Sequence, residues 1–173
     1  MQCETARVHR PPRIEPGPGQ ESVWDYPRPP RLERSNALIE IVLDTVTIVR
    51  TTEAWRVLET SHPPVYYLPP GDILPEVLRP SGRRPSVCEF KGVALYFDVE
   101  AGDTLVTDAA WAYPRPNPAF SAITDHVAFY SHAMDACYVD GELVRAQPGG
   151  FYGGWITANI VGPFKGTPNT YGW

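Results

Sequence analysis

Residues 137–144 read CYVDGELV, two β-prone runs joined by Asp140-Gly141. Asp-Gly is a favoured pair for the two-residue turn of a β-hairpin, so this stretch predicts two antiparallel strands. Residues 39–50 (IEIVLDTVTIVR) predict a second hairpin, although Asp44-Thr45 is a poorer tight turn than Asp-Gly. The chain also has twenty prolines, which keep its elements short. Together these features predict a mainly β fold of compact antiparallel twisted sheets, with one or two short helices.

The stretches around these hairpins predict further short elements. Residues 52–60 have apolar side chains near helical spacing, which predicts a short amphipathic helix. Asp72 is expected to cap a second short helical turn that runs to Leu78. Residues 120–130 fit either a helix or a strand. Strands are predicted at residues 65–68, 86–91, 92–100 and 104–113.

The chain divides by composition into an arm and a body. Residues 1–20 are rich in Pro, Gly and Arg and have little apolar surface to bury, which predicts an extended arm. Residues 21–173 predict a single β-rich domain, because a segment of this length can build a substantial core.

Charge and cysteine content exclude several classes of protein. The net charge is −5, and the acidic body has no basic stripe of the kind that nucleic-acid binding requires. Cys3, Cys88 and Cys137 are widely separated, which indicates a reducing compartment rather than a disulfide framework. No run is long and apolar enough to span a bilayer. We therefore expect a soluble cytoplasmic protein without nucleic-acid or membrane partners, and with no metal site; the cofactor is unknown.

The C-terminal segment, residues 147–173, reads QPGGFYGGWITANIVGPFKGTPNTYGW and alternates glycines with aromatic rings. Flexible tails seldom carry such rings, because a chain that buries little apolar surface cannot offset its ordering entropy. The pairs Gly149-Gly150 and Gly153-Gly154 indicate positive φ angles or a close approach by another group. The segment is therefore expected to be folded and to form part of a site.

Several stretches of the body are similar to one family. They read VWDYPRPPRLE, VLETSHPPVYYLPP, CEFKG, AWAYPRPNPAF, AFYSHAMDACYVDGE, GGFYGGWIT, GPFKG and YGW. Through them the chain, from about Glu21 to Trp173, closely resembles domain-of-unknown-function family 427, which also carries a nucleotidyltransferase-like label. The resemblance implies a small β-rich domain without a settled activity. One departure is Pro168-Asn169-Thr170 in place of Pro-Gly-Thr, and Asn also tolerates positive φ.

The nucleotidyltransferase label requires specific residues. The common type of nucleotidyl transfer uses carboxylates on one face to hold Mg²⁺ and a Gly-Ser turn to cradle phosphate. Asp98 and Glu100 share a face of a predicted strand and Asp103 follows closely, but the chain contains no Gly-Ser dipeptide. Nucleotidyl transfer is therefore the third of three hypotheses for this chain.

Two lysines are expected to carry the chemistry. Lys91 and Lys165 each lie between Phe and Gly, so both are expected to project from strand ends. Two ammonium groups in one pocket would attract a carboxylate or phosphate, and their repulsion would lower one pKa toward nucleophilic or base chemistry. We predict both as catalytic residues. The predicted ligand-binding residues are Trp24, Tyr26, Trp111, Tyr152, Trp155 and His126.

Two functions of different classes follow from these residues. The first is a small-molecule-binding β domain that binds, and as an enzyme would act on, an anionic metabolite in a pocket containing both lysines. The second is a noncatalytic module, in which residues 24–30 and the C-terminal segment form a protein-binding or homo-oligomer surface. A deep pocket with both lysines favours the first, and a broad exposed aromatic patch favours the second.

Overall fold

The computed structural model describes residues 10–173, and these are mainly β. Residues 1–9 of the predicted arm lie outside the described residues. Strands are short, and the helical segments of the described part are 3₁₀ turns of three to six residues. The predicted fold class is confirmed.

The strands follow one another closely along the chain. They are β1 (Glu21–Ser22), β2 (Arg31–Ser35), β3 (Ile39–Leu43), β4 (Val46–Thr51), β5 (Ala54–Leu58), β6 (Val65–Tyr67), β7 (Leu78–Pro80), β8 (Ser86–Cys88), β9 (Gly92–Ala101), β10 (Thr104–Ala112), β11 (Val127–Phe129), β12 (Ala136–Val139), β13 (Glu142–Leu143), β14 (Arg145–Ala146), β15 (Trp155–Ile156) and β16 (Ile160–Val161). The 3₁₀ turns are Val23–Asp25, Pro70–Asp72, Pro118–Ile123, Ser131–Ala133 and Pro168–Thr170.

The largest sheet has five strands and is built around the long β9–β10 hairpin. Its order is β11-β10-β9-β7, with β8 also paired to β9, and every pair is antiparallel. The predicted break near Lys91-Gly92 is confirmed, because β8 ends at Cys88 and β9 begins at Gly92. The ambiguous residues 120–130 divide between the end of a 3₁₀ turn and strand β11.

Both predicted hairpins are confirmed, and they join in one sheet of order β13-β12-β3-β4. The β12–β13 turn is Asp140-Gly141, and both residues have positive φ. The β3–β4 turn is Asp44-Thr45, with φ of 48° and 63°. This turn has the left-handed backbone of a tight hairpin even though a β-branched residue occupies it.

The helix predicted for residues 52–60 is wrong, because β5 occupies this stretch. β5 is the central strand of a three-stranded sheet, between β2 and β6. Most of its side chains are buried on both faces, so its apolar residues do not alternate and resemble a helical pattern. The helical turn predicted from Asp72 to Leu78 is also wrong. A 3₁₀ turn ends at Asp72, and β7 begins at Leu78.

Two hydrophobic clusters pack on opposite faces of the five-stranded sheet. Along β10 the side chains alternate, so Ala110 faces one cluster and Trp111 the other. The first cluster is the main core and includes Phe129 and the almost fully buried Trp155. The second includes Tyr67 and Tyr113 and lies beneath the cleft described below.

The N-terminal and C-terminal parts of the body are tied together. β1 pairs in parallel with β16, and Val23 and Tyr26 pack against Ile160 in a third, smaller cluster. Among residues 10–173, no helix has the length and apolar character needed to cross a membrane.

Candidate functional site

A cleft of about 560 Å³ opens beside the second cluster. Its aromatic floor consists of the rings of Tyr67, Trp111, Tyr113 and Tyr130. Residues 83–91 line one side, and the other side is a wall where the residues following β5 meet the C-terminal segment. The volume falls in the range of small-molecule sites.

The floor of the cleft is made of aromatic rings held in fixed positions. The indole Nε1 of Trp111 donates a hydrogen bond to the Tyr67 hydroxyl at 3.2 Å. The Trp111 ring also lies 4.5 Å, centroid to centroid, from Tyr130. Burial raises the pKa of both Tyr67 and Tyr113, so their hydroxyls stay protonated. The floor is therefore apolar over most of its area but offers neutral hydroxyl groups.

The C-terminal segment approaches this floor through glycines. A Cβ at Gly153 would overlap the Trp111 ring, and one at Gly154 would lie 2.7 Å from the Pro63 carbonyl oxygen. Gly149 and Gly150 have φ of 90° and 72°, and a Cβ at Gly149 would also overlap the Gly166 carbonyl oxygen. The two glycine pairs thus follow the two reasons predicted from the sequence, close approach and positive φ.

The cleft carries a net positive charge although the chain is acidic overall, at −5. Three of its cations lie over aromatic rings: Arg83 over Tyr96 at 3.9 Å, and each lysine over a tyrosine at 5.7 Å. Cationic and anionic side chains in the lining are Arg28, Arg83, Lys91 and Lys165 against Glu59 and Glu89. Such a site attracts anions.

Lys165 has an altered pKa. Burial lowers the pKa of its ammonium group, the nearby charge of Arg28 lowers it further, and Glu59 opposes both effects. The expected repulsion between the two lysines is not among these causes, and Arg28 supplies the like charge instead. The Nζ atom donates a hydrogen bond to the backbone oxygen of Trp173 at 3.2 Å and lies 5.7 Å from the ring centroid of Tyr152.

A hydrogen-bond network joins Glu59, His62 and Gln147 in one wall of the cleft. The Oε1 atom of Gln147 accepts from Gly154 N at 3.0 Å, so its amide nitrogen faces His62 Nδ1, also at 3.0 Å. His62 Nδ1 is therefore the acceptor, and the ring proton lies on Nε2. This nitrogen is 2.8 Å from Glu59 Oε2. Burial by itself would raise the pKa of Glu59, but the hydrogen bond with His62 and the charges of the neighbouring cations, including Lys91 and Arg28, together lower it. Glu59 is thus a carboxylate at neutral pH.

The turn between Glu59 and His62 also holds Lys165. Ser61 is fully buried and has φ of 71°, a conformation that is costly for a residue with a Cβ. Its N–H donates to Val23 O at 3.0 Å, and its carbonyl accepts from Lys165 N at 2.9 Å. Gln147 Nε2 donates to Lys165 O at 2.8 Å. The backbone of Lys165 is therefore fixed to the Glu59–His62 turn.

The structure brings four of the eight predicted site residues into the cleft. They are Lys91, Lys165, Trp111 and Tyr152. The other four lie elsewhere. Trp155 is buried in the main core, where its Nε1 donates to Phe129 O. Trp24 packs on Trp173, Tyr26 donates its hydroxyl to Glu21, and His126 contacts Thr124 O.

Sequence reasoning missed the polar residues that join the cleft by long-range contacts. Arg28, Glu59, His62, Arg83 and Gln147 all line it. The motif Glu59-Thr60-Ser61-His62 before Pro63-Pro64 was the available signal, because a charged residue and a histidine flank a turn there. Nothing local marks Gln147, whose partners are up to 85 positions away.

Asp98, Glu100 and Asp103, the carboxylates considered for nucleotidyl transfer, do not line the cleft. Asp98 Oδ1 accepts from Asp108 N at 2.9 Å, and Glu100 pairs with Arg79. In the described part of the chain, no three or more His, Cys, Asp and Glu side chains are grouped so as to hold a metal ion. Cys88 lines the cleft as a free thiol.

Comparison with protein families gives a match that overlaps the cleft. A family model described as a domain of unknown function, DUF427, whose short name refers to nucleotidyl transfer, matches residues 31–140. Comparison with curated proteins gives no match. Glu59, His62, Arg83 and Lys91 fall inside the matched range, which covers well over half of the chain. The chain belongs to this family of unknown function, DUF427.

Proposed function

We propose that this protein binds a small, planar organic anion in the cleft. The observation that carries the proposal is the set of four cationic side chains placed around an aromatic floor. Aromatic rings favour a flat, apolar ligand body, and the cations favour a carboxylate, phosphate or sulfonate on that body.

The charged side chains of the cleft favour an anionic ligand, although the net charge of the whole chain is negative. Within residues 10–173, every salt bridge uses Arg or His as its cation, so neither lysine is paired with an Asp or Glu side chain. In that range Lys165 Nζ has a single protein acceptor, Trp173 O at 3.2 Å. A partly desolvated ammonium group also contributes more to binding than one in water.

The interaction-module hypothesis has weaker support. It requires the aromatic residues of the 24–30 segment and of the C-terminal segment to form one broad exposed patch. Phe151 and Tyr171 of the C-terminal segment are exposed, but the 24–30 segment does not extend this surface. Instead, Tyr26 is buried, and Trp24 donates its Nε1 proton to Pro163 O at 2.9 Å while its ring packs on Trp173. These rings fasten the N-terminal segment to the body, which is a structural task.

Calorimetric titration with a naphthalene carboxylate tests the proposal. The neutral naphthalene carboxamide has the same shape and is the matched ligand control. We expect the carboxylate to bind and the carboxamide to bind at least about tenfold more weakly, since a charge-assisted hydrogen bond contributes roughly 1.5–3 kcal/mol. Equal affinity for the two probes, or no binding of either, would overturn the proposal.

Two variants locate the bound anion. Lys165→Met removes a cleft charge and keeps the length of the side chain, and we expect it to weaken carboxylate binding by roughly tenfold. Arg145→Met removes a charge at an exposed position outside the cleft and should leave binding unchanged. Native mass spectrometry of the protein purified from its host would then show whether a natural ligand is retained.

A further inference from the structure

Lys165 differs from the other cations of the cleft in how firmly its backbone is held. Both of its backbone polar groups are bonded, the N–H to Ser61 O and the carbonyl to the Gln147 side chain. Gln147 is itself 3% exposed and also contacts His62 and Gly154. The side chain of Lys165 therefore extends into the cleft from a fixed point.

The Nζ atom of Lys165 donates a hydrogen bond to Trp173 O at 3.2 Å, and Arg28 places a like charge near it. Within residues 10–173, no Asp or Glu side chain forms a salt bridge with this amine. The charged and titratable groups that face it are Arg28, Glu59 and Tyr152, with His62 bonded behind Glu59. Glu59 acts on the ammonium group at long range, because its Oε2 atom is turned toward His62 at 2.8 Å. Lys165 is partly desolvated and lies near another cation, and these are two of the conditions that activate a nucleophilic amine.

We propose that Lys165 is a nucleophile that forms an imine with a ligand bound in the cleft. The proposal rests on the proposed function and narrows it, since the ligand would then be a planar organic anion that carries an aldehyde or ketone group. Arg28, Arg83 or Lys91 would hold the anionic group while the carbonyl carbon meets Nζ.

The reaction needs no co-reactant. The unprotonated amine attacks the carbonyl carbon, a C–N bond forms, and a proton moves from nitrogen to the former carbonyl oxygen. The nitrogen then loses its second hydrogen, the C–O bond breaks and a C=N bond forms. The carbonyl oxygen leaves with both amine hydrogens as one water molecule. The pKa of Lys165, lowered by burial and by Arg28, supports this step because more of the amine is unprotonated at neutral pH.

Reductive trapping tests the proposal, and the chain provides its own control. The probe is para-formylbenzoate with cyanoborohydride, followed by digestion and mass spectrometry of the lysine-containing peptides. The chain has two lysines, and Lys91 lines the same cleft. We expect the adduct on Lys165 to form severalfold faster than that on Lys91 at neutral pH. Equal labelling, or labelling of Lys91 alone, would overturn the proposal.

Two charge variants give shifts of opposite sign in the pH dependence of labelling. Arg28 lowers the pKa of Lys165, so Arg28→Met should move the midpoint of labelling to higher pH. Glu59 raises that pKa, so Glu59→Gln should move the midpoint to lower pH. Arg145→Met should leave the midpoint in place. If neither shift appeared, Arg28 and Glu59 would not set the pKa of the Lys165 amine, which would count against a nucleophile.

The binding of para-methylbenzoate separates failure of this proposal from failure of the proposed function. This probe keeps the anion and the ring but has no carbonyl that can form an imine. If it binds while para-formylbenzoate gives no selective adduct at Lys165, the nucleophile is disproved and the anion site stands. If neither compound binds, both proposals fail.

Discussion

Gly153 lets the C-terminal segment pass directly over the indole ring of Trp111. A Cβ at this position would overlap the ring, which is itself fixed by the bond from Trp111 Nε1 to Tyr67. In a close-packed interior neither group can move away without opening a gap elsewhere. The missing side chain therefore decides how near Tyr152 and Lys165 come to the aromatic floor.

Gly153→Ala should both destabilise the protein and weaken anion binding. The added methyl group must displace the segment or the ring, and overpacking of this kind costs roughly 1–3 kcal/mol. Urea unfolding followed by circular dichroism measures the first effect, and calorimetric titration with the naphthalene carboxylate measures the second.

Gly71→Ala is the matched control for that substitution. A Cβ at Gly71 would meet no atom within 4 Å, and the residue lies outside the cleft. We expect a change in unfolding free energy below about 0.5 kcal/mol, as for most surface substitutions. If the two variants lost the same stability, contact with Trp111 would not be the reason for glycine at position 153.

At the scale of elements, the β3–β4 hairpin contains backbone strain in its turn. Thr45 is exposed and has φ of 63°, which is unfavourable for a β-branched residue. Thr45→Gly should therefore stabilise the protein by up to about 1 kcal/mol, measured as a rise in the urea midpoint. Thr47→Gly is the control, because Thr47 is exposed within β4, where glycine should cost roughly 0.5–1 kcal/mol. A loss of stability in both variants would contradict this account.

The same elements show which parts of the fold could be predicted from the sequence. The hairpins at 39–50 and 137–144 depend on turns and alternation within one short stretch, so local reasoning finds them. β5 is buried on both faces by strands and clusters that are distant in the sequence, and its pattern alone resembles a helix. Prediction therefore succeeded for the two half-exposed hairpins and failed for β5, where tertiary packing covers both faces.

The residues of the cleft also divide into those that a local pattern predicts and those that it does not. Lys165 and Tyr152 could be predicted because charge and aromatic rings are unusual among so many glycines. Trp155 has the same local appearance as Tyr152, yet it enters the main core, since β15 turns its side chain toward Phe129. Glu59 and Gln147 acquire a role only through contacts between distant parts of the chain, which no local pattern records.

At the scale of the whole molecule, Gln147 connects three separate parts of the chain. Its side chain bonds His62 after β5, Gly154 before β15 and the backbone of Lys165 near the C-terminus. The family match ends at residue 140, so this connecting residue and Lys165 both lie beyond it. The cleft therefore forms where the matched region meets the C-terminal segment and the residues before position 31, which supply Arg28.

Gln147→Met should lower both stability and anion affinity. Methionine keeps the length of the side chain but leaves Gly154 N and Lys165 O without their partner, and a buried unsatisfied group costs roughly 1–3 kcal/mol. We therefore expect a loss of at least about 2 kcal/mol in urea unfolding, together with weaker binding of the naphthalene carboxylate. Affinity falls because Lys165 and His62 lose a shared support.

Gln20→Met separates this effect from the loss of any glutamine hydrogen bond. Gln20 also bonds two backbone groups, accepting from Gly17 N and donating to Ala158 O, but it does so on an exposed surface. Water can replace its bonds, so we expect a loss below about 1 kcal/mol and unchanged affinity. If Gln147→Met left the binding of the naphthalene carboxylate unaltered while destabilising the protein, Gln147 would support the fold without positioning Lys165. The position of Lys165 would then depend on its backbone bond to Ser61 O and on the glycine contacts with Trp111 and Pro63.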